Sequence, residues 1–79
     1  MITEQTVPYL MDIQTARTAA KYAEVHNIDK TEALRQFMKT KTYDLLLAPE
    51  GYLYFESMEY IYDMWDAECR GDWEYWLEI

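Results

Sequence analysis

The chain has 79 residues with a net charge of -8 and a single cysteine, Cys69. That length holds one domain with a thin stability margin, because a domain this small hides only about 60% of the surface its unfolded chain exposes. An internal disulfide is excluded, and a zinc site is disfavoured because His26 and Cys69 each stand alone where zinc takes about four ligands. The longest local apolar stretch, Leu45-Leu46-Leu47-Ala48, falls far short of the roughly 18 residues of a membrane span. One thiol and no secretory signal fit a reducing, cytoplasmic setting.

With two Pro and two Gly in the chain, long regular elements are expected, and the supply of Ala, Leu, Glu, Lys and Met favours helix. A first helix is predicted over 7–26, opening at Thr6-Val7-Pro8, where Pro in the first turn costs no hydrogen bond. Leu10, Ile13, Ala16, Ala20 and Ala23 fall near one face at helical spacing and read as its buried side. Asn27 ends it. Asp29-Lys30-Thr31-Glu32 has the spacing of a capping box before a second helix over 30–48, with Ala33, Leu34, Phe37 and Met38 inward and a break near 40–42. Beyond the break, Leu46 and Leu47 read as core.

Pro49-Glu50-Gly51 is the clearest turn signal. Residues 52–56 are open to either a short extended stretch or a loop. Ser57 is a good N-cap for a third main helix over 57–70, with Met58, Ile61, Tyr62 and Trp65 inward and Gly71 as its stop. Trp73, Trp76 and Leu77 lie at i, i+3 and i+4, which predicts a short C-terminal helix behind Asp72. The fold class expected is all-α, a small helical bundle in one domain over 1–79.

The charge is unevenly spread. Residues 1–49 hold six acids and six bases, whereas residues 50–79 hold nine acids against Arg70 alone, and nine of the thirteen aromatic residues. Such asymmetry points to an interaction surface: it repels nucleic acid and anionic membrane and steers basic proteins into contact, while exposed Tyr and Trp supply anchors. Solvated acidic helices are the plainer reading of the charge alone. The aromatic excess favours binding. The residues expected to make that contact are Tyr52, Tyr54, Glu56, Glu59, Asp63, Asp66, Trp73 and Trp76.

Catalytic readings find little purchase. His26 has no nucleophile or acid in a recognisable placement, and Cys69 has no basic cluster to activate it. Glu59, Asp63 and Asp66 lack a calcium-loop pattern and read as a solvated acidic face. Arg35 and Lys39 could touch phosphates in a helix-turn-helix, but the acidic chain argues against direct DNA contact, and pairing of Glu32 with Arg35 is the simpler reading. No enzyme activity, cofactor or metal is expected.

The stretch from Glu32 through Ala33-Leu34-Arg35-Gln36-Phe37 to Thr40-Lys41-Thr42-Tyr43-Asp44-Leu45-Leu46, followed by Gly51-Tyr52-Leu53-Tyr54-Phe55-Glu56-Ser57-Met58-Glu59-Tyr60-Ile61-Tyr62, resembles an uncharacterised family of small proteins of gut bacteria. The shared pattern is an Ala-Leu-x-x-Phe helix, a Ser/Thr-Lys-Thr-Tyr-x-x-Leu segment and an aromatic-x-x-Ser-x-x-Tyr-Ile helix start, over roughly residues 20–68. Members lie beside ADP-ribosyltransferase-like toxins, so the resemblance implies an antitoxin or accessory protein of a toxin cassette. It supplies no catalytic residue, and Trp73–Ile79 lies outside it.

The function expected is a non-enzymatic, antitoxin-like module docking an acidic aromatic surface on a basic protein. The alternatives are an acidic nucleic-acid mimic that inhibits a DNA- or RNA-binding enzyme, and a structural homodimer.

Overall fold

The computed structural model describes residues 6–72. Four α-helices follow in order: α1 (Thr6–His26), α2 (Lys30–Phe37), α3 (Lys41–Leu46) and α4 (Met58–Cys69). Between α3 and α4 the chain makes two 3-10 turns, Pro49–Gly51 and Leu53–Phe55. The all-α class is as expected, and among the described residues no helix is long and apolar enough to cross a membrane. The C-terminal helix expected around Trp73 and Trp76 lies outside the described residues.

Four of the α-helix ends are set by the residues expected to set them. Asn27 adopts the left-handed region (φ 55°), which Asn tolerates better than most side chains, and this lets the Ile28 N–H donate back to the Ala23 carbonyl at 3.0 Å. Gly71 (φ 83°) does the same for α4, with the Asp72 N–H on the Ala67 carbonyl at 2.7 Å. The Ser57 hydroxyl caps α4 by accepting the Tyr60 N–H at 3.1 Å. Only half of the expected capping box forms. Asp29 accepts the Thr31 N–H at 2.9 Å, but Glu32 is drawn forward to Arg35, 3.2 Å away. The charged partner one turn on outcompetes the backbone N–H behind.

The break in the second predicted helix falls at residues 38–40, where Thr40 links both sides. Its hydroxyl donates to the Phe37 carbonyl at 2.6 Å and accepts the Tyr43 N–H at 3.0 Å. The two other N–H groups of α3's first turn are satisfied from far along the chain. Glu68, on the last turn of α4, accepts the Lys41 N–H at 2.9 Å with one carboxylate oxygen. Its other oxygen accepts the Thr42 N–H at 2.9 Å and the Thr42 hydroxyl at 2.7 Å. An anion at a helix N-terminus satisfies orphan donors and complements their partial positive charge.

The core has two parts. A seam of Ala19, Ala23 and Ala33 brings α1 and α2 close, with Ile28 packed against it. The larger part is built on Trp65. Its indole stacks on Tyr22 of α1 at 4.0 Å and meets Phe37 of α2 at 4.7 Å, and Phe37 meets Tyr43 of α3 edge-on at 5.4 Å. One column of rings therefore joins all four helices.

Several expected core positions are corrected. On α1 the buried residues are Met11, Thr18, Ala19 and Ala23, so the face runs about one residue off the expected stripe. Ala16 is exposed, and only Ala23 of the expected set is fully buried. The helix touches α2, α4 and the second 3-10 turn, which widens its buried side, and it buries the polar Thr18 that an apolar pattern passes over. Leu34, Met38 and Leu47 are exposed, because α2 and α3 are short and each presents only one main buried position, Phe37 or Leu46, to the ring core. On α4, Met64 and Ala67 are buried with Ile61 and Trp65, while Met58 and Tyr62 are half-buried.

Replacing Trp65 by Ala removes the ring that touches both α1 and α2. It should cost about 3–5 kcal/mol, enough to unfold much of the population, as read by urea unfolding followed by helical circular dichroism. Glu68→Ala should cost about 1–2 kcal/mol by uncapping α3, with Glu68→Gln costing less. Equal midpoints for wild type and Glu68→Ala would remove the carboxylate from the fold's supports.

Candidate functional site

The segment from 48 to 57 is neither strand nor open loop. Ala48 is extended, Pro49 opens the first 3-10 turn, and Tyr52 sits between the two turns in the left-handed region (φ 54°). Gly51 lies against Leu45, and a Cβ there would stand 3.4 Å from the Leu45 Cδ1. From α1, the Gln14 side-chain amide donates to the carbonyls of both Tyr54 and Glu56. With two acceptor carbonyls in front of it, the amide nitrogen must face the segment. This clamp holds the second turn on α1.

A 3-10 turn puts residues three apart on one side. Tyr52 and Phe55 accordingly share the outer side, 61% and 53% exposed, with ring centroids 6.3 Å apart. Leu53 and Tyr54 turn inward. Tyr54 was expected to make partner contacts, but it is only 5% exposed and belongs to the core, bridging Tyr52 (6.1 Å) and Phe55 (4.7 Å) from beneath. The alternation of buried and exposed aromatics depends on the turn type, which composition does not reveal.

An apolar groove of about 380 Å³ lies between the N-terminal turns of α1, the end of α3 and Pro49 of the first 3-10 turn. Val7, Pro8, Met11, Leu47 and Pro49 line it. The sequence reading missed this groove. Leu47 looked like core within a run of three leucines, and nothing local says that residues 7–11 lie next to 47–49.

Of the carboxylates expected at the contact surface, Glu56, Glu59 and Asp63 are exposed. Glu50, in the first turn, is exposed as well. Among the described residues none of these four carboxylates forms an ion pair. Asp66 is different, since Arg70 holds it at 3.0 Å and reaches Asp72 at 3.2 Å. The expected row Glu59, Asp63 and Asp66 is thereby reduced to its first two members as free charge. Trp73 and Trp76 lie outside the described residues.

The titratable groups away from this segment lie in separate surroundings among the described residues. His26 is exposed and stacks on Tyr22 at 4.0 Å. Cys69 is exposed as a residue, yet partial loss of water around its sulfur, with Glu68 and Asp66 nearby, pushes the thiol pKa up, against a smaller opposing hydrogen bond from Trp65. Tyr22 and Tyr62 are likewise pushed above the ordinary tyrosine value, chiefly by desolvation and then by anionic neighbours including Asp66. Lys21 lies over the Tyr62 ring at 4.8 Å. Among the described residues no group of three or more His, Cys, Asp or Glu side chains could hold a metal ion.

These shifts have one sign. Folded Tyr22, Tyr62 and Cys69 hold their protons more tightly than the unfolded chain does, so their effect on stability is neutral at low pH and adverse once the unfolded groups ionise. The urea midpoint should therefore fall between about pH 9 and 11, and in the folded protein iodoacetamide should alkylate Cys69 more slowly than it does the urea-unfolded chain. A midpoint that holds or rises over that range, with Cys69 alkylated as fast as in urea, would contradict the assignment.

No protein-family model, curated protein or solved structure matches this chain.

Proposed function

We propose that the chain is a non-enzymatic protein-binding module, antitoxin-like, which docks an acidic aromatic surface onto a basic partner protein. The observation that carries this reading is Tyr52. A bulky, non-glycine residue in the left-handed region costs roughly 1 kcal/mol or more, and here it holds an aromatic ring 61% exposed to water. The Tyr52 N–H and carbonyl link the two 3-10 turns, but the ring itself stays largely in water. Strain and exposure both make sense where a ring must be presented to another surface, since rigid aromatics supply buried anchors.

The charge supports the same reading. Glu50, Glu56, Glu59 and Asp63 have no ion-pair partner among the described residues, and they surround or follow the exposed rings along the chain. Unpaired carboxylates at the rim of an aromatic patch orient and accelerate docking of a basic surface. The contact set is accordingly Tyr52, Phe55, Glu50, Glu56, Glu59 and Asp63, with Tyr54 beneath it as support. The resemblance to an uncharacterised family of small gut-bacterial proteins, which implies a role beside a toxin, agrees with a protein target of this kind.

The double variant Tyr52→Gly/Phe55→Ala separates binding from folding. Glycine relieves the strained backbone, so helical circular dichroism should be retained and the urea midpoint should stay within about 1 kcal/mol of wild type. Affinity capture from the native host should yield a basic protein on the wild-type chain that the variant retains about tenfold less well or worse. Identical captured proteins on both chains would sink the proposal.

A further inference from the structure

We infer that the groove lined by Val7, Pro8, Met11, Leu47 and Pro49 receives one large apolar side chain from a short, basic, amphipathic segment of the partner, whose Arg or Lys side chains lie against Glu50 and Glu56. This rests on the partner-binding reading above and names the chemistry of the segment that is bound. The described residues that line it are all apolar and its surface is mostly so, and about 380 Å³ accommodates a leucine- or phenylalanine-sized side chain. Groove and rings share one segment: Pro49 forms part of the wall, Glu50 follows it, and the Tyr52 N–H donates to the Pro49 carbonyl at 3.3 Å. A residue seated in the groove lies against Pro49, which is one position along the chain from the Glu50 carboxylate and three from Tyr52, so a basic neighbour of that residue is favoured by charge and, where it reaches a ring, by cation–π attraction.

The rest of the surface sets the sign of the occupant. Among the described residues no Lys or Arg lines this groove, whereas another groove, between α1 and Met58, is lined by Arg17 and Lys21 as well as Glu24 and offers a basic segment no net attraction. A second copy of the chain is a poorer occupant, because each copy brings a net charge of -8 and the two repel.

The probe is a phage-displayed library of random peptides, about 15 residues long, panned on the full chain, with the best sequences then synthesised and titrated. Enriched peptides should carry one Leu, Ile, Phe or Trp with Arg or Lys three or four positions away. Their affinity should fall about tenfold or more with Leu47→Glu, less with Leu47→Ala, and several-fold with Glu50→Gln/Glu56→Gln, and it should weaken as salt is raised. Leu47 is 41% exposed and lies past the last residue of α3, so both variants should keep the wild-type circular dichroism. Enrichment of neutral or acidic sequences overturns the inference, as does a wild-type dimer in sedimentation that Leu47→Glu dissociates. Basic peptides that bind the Leu47→Glu variant undiminished but lose affinity for Tyr52→Gly/Phe55→Ala would overturn the groove assignment alone and leave the partner-binding reading standing. A failure of every peptide to distinguish wild type from either variant would remove both.

Discussion

The column of rings through Tyr22, Trp65, Phe37 and Tyr43 is the contact on which the remaining structure depends. Each helix contributes one ring, so the four helices are joined by side-chain stacking rather than by long parallel seams. That matters because α2 and α3 are 8 and 6 residues long, too short to be stable as isolated helices in water. Burial of large aromatic faces, at roughly 25 cal/mol per Å² with a further contribution from ring geometry, compensates for what short helices lack. It also uses up the interior quickly. Once Trp65 and Phe37 fill the centre, Leu34, Met38 and Leu47 have no room inside and stay at the surface.

Two polar clamps then carry that order out to the candidate site. Glu68 secures the start of α3 and so sets where its other end, with Leu47, emerges. Gln14 secures the carbonyls of Tyr54 and Glu56 and so sets how the second 3-10 turn lies on α1. The groove and the exposed rings are thus held between elements that are each pinned from a distance, so the proposed docking surface sits on a fixed frame rather than on a free loop.

The acidity of the C-terminal part serves two ends. Glu68 and Asp66 are spent within the molecule, on the α3 cap and on Arg70. Glu50, Glu56, Glu59 and Asp63 have no such use, and they accompany the one strained, exposed aromatic in the chain's described part. Among the described residues this segment thus combines a positive-φ aromatic side chain with carboxylates that form no ion pair.

The amino-acid sequence by itself determined the helical class and several of the places where helices begin and end. Asp29, Ser57, Asn27, Gly71 and Pro49 act through hydrogen bonds and dihedral preferences within a few residues, so their effect is legible locally. Tertiary structure decided the rest. Whether Tyr54 or Phe55 faced water depended on a 3-10 turn clamped by a residue some forty positions away, and the real side of α1 depended on how many neighbours it touched. Glu68 as the cap of α3, and the groove between residues 7–11 and 47–49, arise from contacts between segments far apart in the chain, which no local spacing encodes. The acidic aromatic segment was visible from composition alone. Which of its described side chains are exposed was decided by the competition for a small core already filled by Trp65.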